Sequence, residues 1–150
     1  MLIRWLLAAF HLLGMGMALG SSYARFRAFK APLDQAGLAR VFHADNWWGI
    51  SVLILLPTGL LRAFAGFEKG AAWYLHNGLF HAKLGLFLTI FALEILPMIT
   101  LIRWRRAVGA GQSVDTSRAP TFARISLIQT HLLVLMVLAA VAMARGIGAR

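Results

Sequence analysis

The chain has 150 residues, of which 60% are hydrophobic and only 13% are charged, and its mean hydropathy is +0.74. Soluble domains carry about a quarter charged residues, so we predict an integral membrane protein with a single domain over residues 1–150. The lack of cysteine excludes disulfides, thiolate ligands, iron–sulfur clusters and thioether-linked heme. The net charge of +10 comes from basic residues between apolar runs, a pattern that favours membrane orientation over nucleic-acid binding.

Four apolar stretches are long enough to cross a membrane, because a helical span needs roughly 20 mostly apolar residues. In chain order they are Leu2–Ala24, Asn46–Phe67, Leu79–Ile102 and Ile125–Ala144. We therefore predict an all-α fold, an integral membrane four-helix transmembrane bundle with antiparallel neighbours. Asp45 and Asn77 lie just before the second and third spans and are suited to cap those helices. The pair Gly16 and Gly20 predicts a close helix–helix contact.

The two long predicted connections, residues 24–46 and 103–124, carry nine of the fifteen basic residues. Basic residues accumulate on the cytoplasmic side of membrane proteins. The bias predicts a multi-pass protein of the bacterial inner (cytoplasmic) membrane, with both connections in the cytoplasm and both termini on the periplasmic side. Its surroundings are then the lipid bilayer.

Several ionisable side chains fall inside the predicted spans, where they are costly and are candidates for function. They are His11, His81, Lys83, Glu94 and His131, with Arg62 near the outer end of the second helix. At 1.5 Å of rise per residue, His11 and His81 lie about 12 and 6 Å from the outer face, and His131 lies about 21 Å deep. Glu94 is expected either to stay protonated or to pair with Arg103 on the cytoplasmic side.

Two histidines at similar depth on different helices, with no carboxylate beside them, favour heme b as the ligand. Neutral imidazole binds iron, copper or zinc, but zinc and copper need further ligands that are not evident at this height. A heme iron needs only two axial ligands, which we predict to be His11 and His81, with His131 as the alternative for either. The other interpretation is that these histidines are interhelical hydrogen-bond partners.

Two glycines and a group of cations complete the predicted heme site. Gly14 and Gly85 lie on the same helix faces as His11 and His81 and would leave room for a planar macrocycle. The heme propionates would need positive charges near the outer end of the bundle. The candidates there are Arg62, Lys69 and Arg145.

Lys83 follows His81 by two residues and therefore points to a nearly opposite helix face. We predict that His81 faces the heme, whereas Lys83 faces a second anion such as a porphyrin carboxylate and has a catalytic role. The alternative is that Lys83 extends its ammonium group to the outer lipid headgroups.

The segments "FHAKLGLFL" (Phe80–Leu88) and "AAFHLLGMGMALGSSYARF" (Ala8–Phe26) resemble the third and first helices of the HemJ-type protoporphyrinogen oxidases, bacterial membrane proteins that bind heme b. The resemblance implies cofactor or activity roles for His11, His81 and Lys83. The segments "TGLLRAF", "KGAAWYLHNGLFHAKL" and "MARGIG" resemble an uncharacterised bacterial family of predicted four-helix membrane proteins, related in architecture to the HemJ type. That second resemblance covers most of the chain.

Together these observations predict a heme b-binding membrane protein with a redox role. In its sharpest form it is an oxidoreductase that oxidises protoporphyrinogen IX, a porphyrin substrate, and passes electrons to quinone. An alternative is an accessory transmembrane subunit of a larger electron-transfer complex, without catalysis of its own. A third interpretation is a small transporter with a proton path along His11, Lys83 and Glu94, although no pair of broken half-helices is evident.

Overall fold

The computed structural model describes residues 1–67 and 69–148, and that part of the chain contains five helices. They are α1 (Leu2–Lys30), α2 (Gln35–Phe64), α3 (Ala71–Leu75), α4 (Gly78–Gly109) and α5 (Ala119–Ala144). All except α3 are long and apolar enough to span a membrane. The predicted all-α four-helix transmembrane bundle is therefore confirmed. The short α3, which contacts α2 and α4, was not predicted.

The first two membrane helices are longer than predicted. α1 continues to Lys30 rather than Ala24, because no helix-breaking residue interrupts the chain before Pro32. α2 begins at Gln35 rather than Asn46, and the side chain of Asp34 caps it by accepting a 2.7 Å hydrogen bond from the Gly37 amide. Asp45 therefore lies inside α2, and the prediction that it caps this helix is wrong.

The start of α4 is capped as predicted. The Oδ1 atom of Asn77 accepts hydrogen bonds from the amides of Leu79 and Phe80, at 2.9 and 3.2 Å. The Gly78 amide donates to the carbonyl oxygen of Gly148 at 3.2 Å, so the segment after α5 returns to the start of α4. α4 and α5 are therefore antiparallel.

The four membrane helices pack in the order α2, α1, α5, α4. α2 and α4 stand at the two ends of this order. We call the end of the bundle with the α1–α2 and α4–α5 connections the loop end. The opposite end, which holds both chain termini, is called the terminal end.

The core of the bundle has two buried clusters, and the one at the loop end is aromatic. There Phe29, Trp104 and Phe122 contact one another with ring centroids 5.7–6.5 Å apart. A second buried cluster, which includes Met15 and Trp48, lies farther along the bundle. Beyond it, towards the terminal end, most side chains of the first two turns of α1 are exposed. The first two turns of α1 therefore extend beyond the buried core.

Gly14 allows α1 and α2 to approach each other closely. A Cβ atom at this position would lie 3.0 Å from Cγ2 of Ile54 and 3.2 Å from Cγ of Leu55. Gly16 and Gly20, by contrast, have no such neighbour within 4 Å. The close helix contact predicted for that pair is thus provided by Gly14 instead.

Candidate functional site: a cleft between α2 and α4

The space between α2 and α4 is a cleft of about 500 Å³ to which α1 and α5 also contribute. At its end nearer the chain termini the cleft is lined by His11 and Lys83. At its other end it is lined by Asp45 and Glu94. Its walls are mostly apolar, with Met15, Trp48, Val52, Leu53, Leu60, Phe87, Ile90, Phe91, Leu133 and Met136 among them. An apolar cleft with a few polar groups is the usual form of a small-molecule site.

His11 is held by a hydrogen bond from α1 to α2. Its Nδ1 atom lies 2.9 Å from Oγ1 of Thr58, whose hydroxyl donates to the carbonyl oxygen of Ile54 at 2.6 Å. Because the Thr58 proton is used in this way, we assign the ring proton of neutral His11 to Nδ1, which donates to Thr58. The lone pair of the imidazole is then on Nε2.

Gly59 makes room for the His11 ring. A Cβ atom at position 59 would lie 3.3 Å from Cε1 and 3.8 Å from Nδ1 of His11. A side chain there would push the ring away from Thr58. The segment Thr58–Gly59 therefore provides both a hydrogen-bond partner and space for the ring.

Positive charge is concentrated at the same end of the cleft. The charges of Lys83 and Arg62 both act on His11, and that of Arg62 acts on Lys83. The cleft is thus lined by one imidazole and one ammonium group among apolar walls, and the charge of Arg62 acts on both. This charge would favour a ligand with carboxylates at one end and an apolar body.

The other predicted histidine ligands lie outside the cleft. His81 is exposed, and its Nε2 atom is 2.8 Å from the carbonyl oxygen of Leu75. His131 is exposed, and its Nδ1 atom is 2.8 Å from the carbonyl oxygen of Leu127, one turn earlier on α5. The structure brings His11 and Lys83 together in one cleft and does not bring His81 or His131 there.

The remaining predicted site residues, two glycines and the cations, do not line the cleft. The space beside Gly14 is filled by Ile54 and Leu55, whereas Gly85 is exposed with nothing close to it. Neither glycine lines the cleft. Of the predicted cations, Arg62 does not line the cleft, although its charge acts on His11 and Lys83. The Lys69 ammonium lies 4.0 Å from the ring centroid of Trp73.

A buried polar network closes the cleft towards the loop end. At its centre is Arg25, whose side chain is 0% exposed. Its Nη1 atom donates to Glu94 at 2.7 Å and Asp45 at 2.9 Å. Its Nη2 atom donates to Glu94 at 2.6 Å and Gln129 at 2.8 Å, and its Nε atom donates to Ser126 at 3.1 Å. These five bonds use all five donors of the guanidinium group.

The network joins all four membrane helices and balances its own charge. Asp45 also accepts a 2.9 Å hydrogen bond from Nη2 of Arg105, so two arginines face two carboxylates. Gln129 donates to Glu94 at 2.8 Å and to the Ile90 carbonyl oxygen at 3.2 Å. Buried charges are tolerated when they are paired and hydrogen-bonded in this way.

Sequence reasoning missed this network because the first span was ended at Ala24, which placed Arg25 in a connection. The expected pairing of Glu94 with Arg103 is wrong, since Glu94 binds Arg25 and Arg103 is exposed. One signal was available: Glu94 and Gln129 are polar residues within apolar runs, and each needs a partner. The uninterrupted helical sequence up to Lys30 makes Arg25 such a partner.

The described residues contain no group of three or more His, Asp or Glu side chains arranged to hold a metal ion. A site lined by one imidazole and one ammonium group, with a further positive charge nearby, is instead suited to an anionic organic molecule, or to a macrocycle that brings its own metal. The paired carboxylates at the far end of the cleft are occupied by Arg25 and Arg105.

Comparison with known proteins gives a family and no activity. The searches among curated proteins and among solved structures each returned no match. The relation to the HemJ type therefore stays a prediction. The sequence profile of one family, described as "Predicted membrane protein (DUF2214)", matches residues 3–148. This confirms the predicted resemblance to an uncharacterised family of membrane proteins, and the chain belongs to the DUF2214 family of predicted membrane proteins.

Proposed function

We propose that the protein binds heme b in the cleft and has a redox role in the membrane, with HemJ-like oxidation of protoporphyrinogen IX as its specific form. The observation that carries this proposal is the His11–Thr58 hydrogen bond of 2.9 Å. Metal-bound histidines almost always donate their other ring N–H to an oxygen atom. His11 has this arrangement, and its Nε2 is the nitrogen to offer an iron.

The shape and polarity of the cleft also support the proposal. Its volume of about 500 Å³ lies within the usual range for small-molecule sites. Flat side chains such as Trp48, Phe87 and Phe91 line it, as a macrocycle requires. Lys83 supplies positive charge in the cleft for a carboxylate of a porphyrin, and the charge of Arg62 acts on the same end. The same chemistry suits a heme and a porphyrin substrate.

The residues of the chain then have distinct roles. His11 would hold the iron, while Lys83 would position a carboxylate and so orient the ring. The apolar walls would exclude water from the ring. A bound heme supplies an iron that accepts and donates electrons one at a time. In the overall reaction, each pair of hydrogen atoms removed from a porphyrinogen reduces one membrane quinone to quinol.

The test is the absorbance spectrum of the protein purified from heme-replete cells, before and after reduction. We expect a heme b spectrum that is lost in His11→Ala and retained in His131→Ala. His131 is a matched control because it is exposed and bonds only within its own helix. A colourless wild-type protein would contradict the proposal and favour the alternative of an accessory subunit.

The role of His81 is tested in the same experiment. The sequence predicts it as the second axial ligand, whereas its side chain lies outside the cleft. If His81→Ala loses the low-spin spectrum together with His11→Ala, the sequence prediction is right and α4 begins differently in the heme-bound protein. If the spectrum persists, the second ligand is another group of the cleft, such as Met15 or Met136.

A further inference from the structure

A second groove lies on the outside of the bundle at the loop end, between α1 and α2. Its volume is about 950 Å³, and much of its wall consists of small residues, including Gly20, Ala24 and Ala39. None of the residues that line this groove also lines the cleft between α2 and α4. Because the side chains are small, the two helices present a shallow apolar trough on the surface that faces lipid.

The polar lining of the groove is entirely basic or neutral. Arg27 on α1 and Arg40 on α2 are both exposed and both line it, and no acidic residue is among the described residues that do so. Nη2 of Arg40 lies 3.5 Å from the carbonyl oxygen of Pro32. Guanidinium matches phosphate geometry, so arginines from two helices that line one groove can bind a phosphate together. The charge of the groove is therefore complementary to an anionic headgroup.

His43 and Trp47 add directional contacts. Nε1 of Trp47 donates to Nε2 of His43 at 3.1 Å, which assigns the ring proton of neutral His43 to Nδ1. That N–H remains a donor for an oxygen acceptor. Trp47 is 45% exposed, and tryptophan favours the level of the lipid headgroups. These contacts lie beside the two arginines in the same groove.

We propose that this groove binds one anionic phospholipid, with its phosphate between Arg27 and Arg40 and an acyl chain along the trough of small residues. A phospholipid is the occupant that the location favours, because a groove on the lipid-facing surface at the end of the membrane spans is in contact with lipid. Basic pockets between membrane helices bind anionic headgroups. The site is independent of the cleft and of heme binding.

The charge of the site is tested with full-length protein that has been stripped of lipid in detergent. Binding of phosphatidylglycerol and of phosphatidylcholine with identical acyl chains is measured by native mass spectrometry. Wild type should prefer phosphatidylglycerol. The double variant Arg27→Gln/Arg40→Gln should bind it about twenty-five-fold more weakly, since each basic group near a headgroup contributes about a fivefold factor.

The matched control is Arg103→Gln/Arg124→Gln, which removes two exposed charges on α4 and α5 outside the groove. It should bind phosphatidylglycerol like wild type. An equal loss in both double variants would overturn the proposal, because it would mean attraction by overall charge alone. Displacement of the lipid by millimolar inorganic phosphate would also overturn it, in favour of a site for free anions.

The trough is tested by filling it. Gly20→Leu places a side chain where nothing lies within 4 Å of the added Cβ, so the helix can accept it. It should weaken binding of both lipids. Gly16→Leu, which is equally open but does not line the groove, should leave binding unchanged. If Gly20→Leu instead changes the oligomeric state and leaves lipid binding intact, the groove is an interface between copies of the chain and the proposal is wrong.

Discussion

Arg25 and Glu94 form a bidentate ion pair in the interior of the bundle, with Nη1–Oε1 and Nη2–Oε2 distances of 2.7 and 2.6 Å. The pair joins α1 to α4, which are separated by α5 in the packing order. Parallel double hydrogen bonds of this kind fix orientation as well as distance. The pair therefore holds α1 and α4 in register in the interior of the bundle.

Removal of Arg25 should destabilise the protein strongly. Arg25→Met leaves the partly buried Glu94 and Asp45 without their shared partner, and loss of one member of a buried ion pair costs about 3–5 kcal/mol. Arg27→Met is the control, because Arg27 is exposed and its replacement should change the free energy of unfolding by less than about 0.5 kcal/mol. Equilibrium unfolding in detergent, followed by tryptophan fluorescence, measures both.

A double variant separates the ion pair from simple loss of packing. Arg25→Met/Glu94→Met removes both charges, so it should be more stable than the sum of the two single changes predicts. Strict additivity of the two unfolding free energies would show that Arg25 and Glu94 do not interact.

Gly14 and Gly16 should respond in opposite ways to the same substitution. Gly14→Leu forces a side chain against Ile54 and Leu55, where a Cβ alone would be 3.0 and 3.2 Å from their carbon atoms. Overpacking of this kind typically costs about 1–3 kcal/mol. Gly16→Leu enters open space and should be neutral or stabilising, because leucine has the higher helix propensity. Equal thermal stability of the two variants would contradict the close α1–α2 contact.

Lys83 and His81 should have separate effects, although they are two residues apart. Lys83→Met keeps the length of the side chain and removes the charge that faces the cleft. Since hydrogen bonds to charged groups contribute about 1.5–3 kcal/mol, it should weaken binding of a porphyrin dicarboxylate about tenfold or more. His81→Ala, outside the cleft, should bind the porphyrin like wild type. Fluorescence quenching of protoporphyrin in detergent gives both dissociation constants; unchanged binding in Lys83→Met would favour an ammonium group directed at the lipid headgroups.

The orientation predicted from basic residues can be measured cleanly because the chain has no cysteine. Ser113→Cys lies in the α4–α5 connection, and Ala65→Cys lies at the end of α2. A membrane-impermeant thiol reagent added to intact cells should label only Ala65→Cys. Labelling of Ser113→Cys alone would place both termini in the cytoplasm.

Hydropathy was sufficient to predict the fold, because the membrane requires long apolar helices with internally bonded backbones. It failed at the helix ends, since a stretch that carries charges, such as Ala24–Lys30 with its two arginines and one lysine, can continue a helix beyond the apolar span. That error placed Arg25 outside the span, and with it the partner of Glu94 was lost. Arg25 is also one of the nine basic residues counted in the two predicted connections. Without Arg25 these connections still carry more basic residues than the other side of the membrane.

The candidate site was predicted only in part for a different reason. Helix periodicity gives the angle between residues of one helix, and it predicted His81 and Lys83 on different faces, as the structure has them. It was His81 that was predicted to face the heme, whereas Lys83 lines the cleft. Helix periodicity cannot give the rotation of one helix relative to another. The histidine and lysine that share the cleft are therefore His11 and Lys83, and this combination depends on how α1 and α4 are turned about their axes.

The separation of α2 from α4 determines the route by which a ligand arrives. Leu53 and Phe91, on the two sides of the cleft, are 75% and 55% exposed, so the cleft opens sideways into the hydrocarbon layer. A molecule that dissolves in the bilayer can diffuse in laterally without crossing an aqueous phase. Its occupancy is then set by its concentration in the lipid. Two ligands with equal contacts in the cleft would thus be bound to different extents if they partition differently into the membrane.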